Sequence, residues 1–273
     1  MKNYEFKEIV IEGEEYKEIE CKKQTLEEME FHNTKFERAD FSESIFQDVM
    51  FDEIEAKEVN FEKCRMESNQ VDFIGKFYKC SFSYVKIMYI EIWDSEFINC
   101  NFNNLYLEYS GFDKCDLKNN DFSEANFCES GIGGKILVNN KFNRAKLNVT
   151  DFKHLQIENN DFTSSIIDGS MWKNNICKKN IFIDISMTNT ILEDSSYIAC
   201  NFDEAKMNDS KFRKCVIEEC SFKGVEFTNT KFIKCTLKDI DFTQMKYDNV
   251  TFEDCQFENV KFTDQQKKDF GIE

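Results

Sequence analysis

Twelve cysteines, two histidines and 52 acidic side chains give this 273-residue chain the material for three chemistries: metal binding, thiol catalysis and carboxylate acid–base work. Their spacing argues against all three. A zinc site wants Cys or His pairs a few residues apart, and the chain has no Cys-x-x-Cys pair. His32 lies near the N-terminus and His154 in mid-chain, neither beside a patterned nucleophile or metal partner. Acids recur everywhere as solvated surface, so none stands out as a catalytic dyad. The stretch Gly131-Ile132-Gly133-Gly134-Lys135 resembles a phosphate loop only in its Gly-Gly-Lys, because Ile136 stands where that motif needs Ser or Thr. No catalytic, metal-binding or cofactor-binding residue is assigned, and an enzyme is not expected.

What places the cysteines is a repeat. From Phe77 to Phe262 every fifth residue is apolar or aromatic, 38 positions of 38. Within that grid Phe recurs every twenty residues, at Phe82, Phe102, Phe122, Phe142, Phe162, Phe182, Phe202, Phe222, Phe242 and Phe262. Neither a helix nor a simple strand has a period of five. A five-residue unit that turns a corner does, and four corners close a square coil of twenty. Stacked coils then pair as short parallel strands about 4.8 Å apart. Calling the apolar centre i, the i−2 residue is usually small or uncharged, as at Cys80, Cys100, Cys115, Ala125, Ala145, Ser165, Cys200 and Cys220. Both positions point inward, and the other three face water. One inward column contains Asn120, Asn140, Asn160 and Asn180, whose amides would hydrogen-bond along the axis. Nine cysteines fall on i−2, where a small apolar residue packs well. They read as buried free thiols of a reducing compartment, since stacked parallel side chains disfavour disulfides.

Units such as Cys200-Asn201-Phe202-Asp203-Glu204, Cys220-Ser221-Phe222-Lys223-Gly224 and Ala145-Lys146-Leu147-Asn148-Val149 resemble the pentapeptide-repeat family. The resemblance covers roughly residues 19–264. It implies an all-β fold, a right-handed quadrilateral β-helix, here of about twelve coils.

The register breaks once. Cys21, Leu26, Phe31, Phe36, Phe41, Phe46, Phe51, Ala56, Phe61, Met66 and Val71 keep the period in another phase, and the next centre, Phe77, comes six residues later. An extra residue is therefore expected near Ile74-Gly75, absorbed as a bulge. The chain divides into an N-terminal cap over 1–18, a short repeat block over 19–73, a long block over 74–264 and a C-terminal cap over 265–273, all one elongated domain. The final segment is expected to form a short helix packing Phe270 and Ile272 on the last coil, and an imperfect cap there would favour a homodimer. With no proline and only 9 glycines, corners that do not demand φ > 0 are expected. Lys135 falls on an inward i−2 position, so its corner must distort or release the ammonium. The first twenty residues are polar and acidic, unlike a signal peptide, and no apolar run approaches a membrane span. A cytoplasmic protein with no membrane contact is expected.

A solenoid of this kind acts through its outer surface. Met88, Tyr89, Tyr106 and Tyr109 are outward by register and share one side, with Tyr84 and Trp93 on neighbouring sides. Contiguous exposed aromatics mark partner sites; stacked Tyr can equally stabilise a strand ladder. Ile166, Met171, Ile176 and Ile181 ring one coil on all four sides, a poor shape for docking. The net charge of −17 disfavours direct nucleic-acid binding. It is concentrated in residues 1–60, where 18 acidic and 8 basic residues leave −10.

Two functions follow. One is a non-catalytic scaffold that binds a protein partner through the Tyr89–Tyr109 side. The other rests on resemblance to the quinolone-resistance members of the family, which bind DNA gyrase or topoisomerase IV as acidic mimics of duplex DNA. Shared features are Phe centres, Cys-rich i−2 positions and a short block, one extra residue, then a long block. Glu53, Glu55 and Glu58 would be the mimicking acids. Two features depart from that pattern. The unbroken count of fives leaves no room for projecting loops, and a rod of about 58 Å carries roughly half the charge density of DNA.

Overall fold

The computed structural model describes residues 1–7, 9–68 and 73–272. They form two compact units, Met1–Ile136 and Leu137–Glu273, each a four-sided parallel β-solenoid. The turns number about 13 against the twelve expected, because residues before Ile19 already wind as coil.

Each pentad supplies one side. Residues i−1, i and i+1 are extended and pair with their equivalents twenty residues on, as in Lys86↔Tyr106↔Asn126 and Ile87↔Leu107↔Phe127. The centre points inward and is almost fully buried throughout both units. Taking the Phe column as the first side, the second side of the N-terminal unit is centred on Ile87, Leu107 and Phe127. The third follows Ile92 and Phe112, and the fourth Phe97 and Leu117. Phe82, Phe102 and Phe122 stack 4.9 and 4.5 Å apart, nearly parallel. In the C-terminal unit Phe142, Phe162, Phe182, Phe202, Phe222, Phe242 and Phe262 follow at 4.7–5.4 Å, nearly parallel except for Phe222 and Phe242, which are tilted by 34°. Burying each ring contributes roughly 1.5–3 kcal/mol, and the coil brings it there without a globular core.

The i−2 residues do more than fill space. Their backbone N–H groups point along the axis, and on three sides a Ser or Asn at i−2 of the next coil accepts from them. Examples are Ile90 N to Ser110 Oγ at 3.1 Å, Cys100 N to Asn120 Oδ1 at 2.8 Å and Asn160 N to Asn180 Oδ1 at 2.9 Å. The same side chain donates to the centre carbonyl 23 residues earlier. Asn120 Nδ2 reaches Phe97 O at 3.0 Å, and Ser210 Oγ reaches Met187 O at 2.6 Å. Cys100 Sγ makes the same contact with Phe77 O at 3.4 Å. The cysteines therefore serve as donors, which corrects the purely apolar role expected of them. All twelve are free, and burial pushes the Cys64 and Cys115 thiols up to about 12. The second side escapes this requirement. There the i−2 N–H closes a turn onto the preceding Phe carbonyl, as from Ala125 to Phe122 at 3.1 Å and Ala205 to Phe202 at 3.1 Å. That column is accordingly free to hold Ala, Val, Leu or Ile. In the C-terminal unit Asn140, Asn160 and Asn180 also bond to one another, at 3.0 and 3.1 Å.

The corners contradict the expectation drawn from scarce glycine. The i+2 residue is left-handed in nearly every described pentad, with φ between +47° and +61° at non-glycine residues. That conformation costs an L-residue roughly 1–2 kcal/mol. It is held because the i+2 N–H bonds to the next coil, as from Asn33 to Asp52 O at 3.0 Å and Tyr89 to Glu108 O at 3.1 Å.

The register slip falls where it was expected, as an irregularity between Phe73 and Gly75. Val71, expected as a centre, lies outside the described residues. The core position between Phe51 and Ile92 belongs to Phe73, which pairs with both. Only four residues then remain to reach Phe77, and the backbone crowds the coil above: a Cβ on Gly75 would sit 2.6 Å from Ile54 O. Gly134 is tight for a similar reason, with φ +109° and its would-be Cβ 2.3 Å from the Lys114 backbone. Beside it Lys135 turns outward and bonds Asp94 at 2.7 Å, so the ammonium leaves the core.

At the N-terminal end, Ile11 and Tyr16 continue the phase of Cys21, and strands Val10–Glu12 and Glu15–Lys17 pair with the coil below. The core there is covered by Phe6, whose ring meets Phe31, Phe36 and Phe41. At the other end Thr263 and Gln266 form a capping box that starts the helix Asp264–Phe270. Gln266 Nε2 bonds Phe242 O at 2.9 Å, and Phe270 packs on Phe252 and Phe262.

Replacing Asn160 by Leu tests the i−2 rule. It leaves the Leu137 carbonyl and the Asn140 N–H without their Asn160 partner, at about 1–3 kcal/mol for each group left orphaned. Denaturant unfolding is expected to shift accordingly, whereas a packing-only role predicts little change for a residue of similar volume.

Candidate functional site

The second side of the N-terminal unit carries the aromatic cluster. Its strands Arg65–Glu67, Lys86–Met88, Tyr106–Glu108 and Asn126–Cys128 stack in register. Met88 and Tyr106 are half-buried on it. Tyr89 and Tyr109 occupy successive corners at its far edge, 49 % exposed each, with ring centroids 5.6 Å apart and planes 13° from parallel. Tyr109 Oη donates to Glu129 Oε1 at 3.4 Å. Tyr84 sits in the corner at the near edge, so tyrosines bound this side on both flanks. Trp93 lies one side further round and is faced by Lys114 Nζ at 5.6 Å.

The corner positions give this cluster its weight. Left-handed corners elsewhere hold mostly Asn, Asp, Glu, Lys and Arg, and a bulky side chain there is disfavoured. The tyrosines found in such corners among the described residues are Tyr84, Tyr89 and Tyr109, all within two adjacent coils.

The three expected mimic acids do not form a phosphate-like row. Glu53 is an exposed corner of the third side, Glu55 lies on the fourth and Glu58 in the corner after it. Glu55 pairs with Lys35 at 2.8 Å and Glu58 with Lys79 at 4.0 Å. The fourth side alternates charge from coil to coil, Glu15, Lys35, Glu55 in one row and Lys17, Glu37, Lys57 in the other. In the C-terminal unit Ile166, Met171, Ile176 and Ile181 are each on a different side. The tightest potential metal-ligand group among the described residues, Glu218, Glu219 and Asp239, is a surface cluster in which Lys238 already binds Glu218 at 2.9 Å.

The sequence reading missed the mouth of the first coil. Tyr4, Phe6 and Tyr16 meet edge to face at 4.9–5.3 Å, beside a cleft of about 520 Å³ that Glu5 and Glu14 also line. The available signal was the phase itself, since Phe6, Ile11 and Tyr16 extend the fives back from Cys21.

Residues 190–269 match the family model described as pentapeptide repeat region, and residues 95–130 match that of pentapeptide repeats. No curated protein sequence matches the chain significantly. Similar solved structures include HetL, a pentapeptide repeat protein involved in heterocyst differentiation regulation in the cyanobacterium Nostoc sp. strain PCC 7120. It is 11 % identical with a TM-score of 0.41, over 76 % of this chain and 90 % of that one. A trypsin-treated variant of QnrB1, a plasmid-mediated fluoroquinolone resistance protein, is 16 % identical with a TM-score of 0.21, over 75 % and 84 %. A mannuronic acid specific polysaccharide family 6 lyase from human gut microbiota is 10 % identical with a TM-score of 0.44, over 96 % and 80 %. At these identities and scores none bears on what this chain does.

One titrating group on the N-terminal unit has a defined partner set. His32 Nε2 lies 3.0 Å from Glu30 Oε2 and Nδ1 lies 3.1 Å from Asp52 Oδ2. Carboxylates only accept, so these contacts favour the imidazolium, the form in which both ring nitrogens donate. The Glu30 and Asp52 hydrogen bonds hold its pKa above the usual 6.5. A raised folded value means the stabilisation is fully present below pH 6.5 and is lost as pH rises through the folded pKa. At this surface site it amounts to no more than about 1 kcal/mol. Unfolding followed from pH 6 to 9 should show that loss, and His32→Gln should remove it.

Proposed function

We propose that this chain, which belongs to the pentapeptide-repeat proteins, is a non-catalytic, cytoplasmic scaffold that binds a protein partner through the tyrosine-bearing second side of its N-terminal unit. The observation that carries this reading is the placement of Tyr84, Tyr89 and Tyr109 in left-handed corners. The lateral hydrogen bond holds the backbone of every such corner, so what marks these three is the half-exposed aromatic ring itself, which the coil does not use. Tyrosine is also among the side chains that dominate interface energetics. The twelve free cysteines suit a reducing compartment. Phe257, left 37 % exposed next to the cap helix, is the residue a second copy would cover in a dimer through the C-terminal end.

A second reading is an acidic mimic of duplex DNA acting on gyrase or topoisomerase IV. The −10 charge of residues 1–60 favours it. The lysine pairing of Glu55 and Glu58 weighs against it.

The two are separated by one set of variants. Tyr89→Ala with Tyr109→Ala is expected to keep the fold by circular dichroism and to weaken a captured partner's binding at least about tenfold. Charge reversal at Glu53, Glu55 and Glu58 should leave that binding intact. Inhibition of gyrase supercoiling by the native chain, abolished by the charge reversal and not by the tyrosine variant, would establish mimicry instead.

A further inference from the structure

The first coil of the N-terminal unit ends in an open strand edge. In each stacked pair the i−1 N–H donates to the coil before it, and the i+1 carbonyl accepts from that coil's i+2 N–H. Glu30 N bonds Ile9 O at 2.8 Å and Lys35 N bonds Glu14 O at 2.8 Å, while Gly13 N reaches His32 O at 3.0 Å and Glu18 N reaches Glu37 O at 2.9 Å. By the same geometry the N–H groups of Val10 and Glu15, and the carbonyls of Glu12 and Lys17, point away from the body. Among the described residues no strand pairs with that edge. Such an edge is a template for one more strand. Ile9 and Val10, 64 % and 51 % exposed, give it an apolar flank.

The mouth beside it has a defined chemistry. Tyr4, Phe6 and Tyr16 line the cleft of about 520 Å³ together with Glu5 and Glu14; Lys7 is the one cation on its wall. Glu14 stands on an inward i−2 position, but with no coil above it the carboxylate is exposed. Aromatic rings with two carboxylates suit an ammonium or guanidinium group. The surrounding charge has the same sign preference, since residues 1–20 hold 7 acidic and 3 basic side chains.

We propose that this open edge docks a basic segment of a partner protein, which adds as one more turn of coil, pairing with Val10–Glu12 and with Glu15–Lys17 on either side of the Gly13 corner, and seats a lysine or arginine in the mouth lined by Tyr4, Phe6, Tyr16, Glu5 and Glu14. The coil period sets the register. A residue opposite Tyr16 points inward, into the cleft, and its neighbours on either side face solvent. A second copy of this chain is disfavoured as occupant, because it would bring an equally acidic edge against this one. The site is separate from the tyrosine side and stands whether or not that side binds a partner.

The test is a titration of the isotope-labelled full chain with the peptide KTVRVTK and its charge-reversed form ETVEVTE. The basic peptide is expected to shift and protect the Val10 and Glu15 amides, and the acidic one to bind at least about tenfold more weakly. Glu14→Lys, on an exposed corner, should reduce the basic peptide's affinity about tenfold or more while leaving the spectrum beyond the first coil unchanged. Val10→Pro removes an edge donor and should act likewise. Equal binding of the two peptides, no binding of the basic one, unchanged affinity in Glu14→Lys, or shifts confined to the Tyr89–Tyr109 side would each overturn the proposal.

Discussion

A square coil with five residues per side cannot satisfy its backbone by strand pairing alone. At the corners of three sides the i−2 N–H points along the axis, and the centre carbonyl is buried with it. Left unmade, each such bond costs about 1–3 kcal/mol, a sum over many corners that no column of phenylalanines would outweigh. The solution is to make the i−2 side chain of the next coil a small donor and acceptor. Ser, Thr, Asn and Cys fill that role, as Ser95, Thr190, Asn175 and Cys215 show. This requirement accounts for the cysteine content and the asparagine ladder, while alanine recurs on the second side, at Ala125, Ala145 and Ala205, where the i−2 N–H closes a turn instead.

The lateral hydrogen bonds also stabilise the left-handed corners. A corner residue whose N–H is fixed by the coil below has few other conformations to adopt, so glycine is not required, and Asn, Asp and longer polar residues suffice. Corners thus tolerate many polar side chains at a modest cost, bulky ones being less favoured. That tolerance is what makes an aromatic corner informative: nothing in the coil asks for Tyr89 or Tyr109, and the rings stack outside the fold they belong to.

The period of five, the inward columns, the aromatic side and the C-terminal helix were legible in the sequence because each depends on residue type at fixed spacing. Three features were not. The sign of φ at the corners follows from coil closure, which glycine counts do not report. The hydrogen-bonding duty of Cys100 or Cys215 is invisible in composition, where cysteine reads as a small apolar residue. The bulge near Ile74-Gly75 was legible, but not that Phe73 holds the core position between Phe51 and Ile92. There the demand for a large apolar residue in the column prevails over local counting. For the candidate site, the register correctly turned Met88, Tyr89, Tyr106 and Tyr109 outward, but could not foresee that Lys35 and Lys79 would neutralise Glu55 and Glu58.

The same ladder occupies the inside. Most inward polar side chains bond backbone groups of the neighbouring coil. The buried polar atoms without a partner among the described residues include Trp172 Nε1 and Tyr197 Oη, at centre positions of the C-terminal unit. The small Cys177 is the centre that precedes Tyr197 in its column, and the apolar area of the two rings offsets an unmade hydrogen bond. These exceptions are packing solutions and have no route to solvent, both side chains being fully buried. What distinguishes one member of this architecture from another must therefore lie in outward corners and in coil ends. Those are the positions where the ladder places no demand, and in the N-terminal unit they hold the stacked tyrosines and the acidic, aromatic mouth.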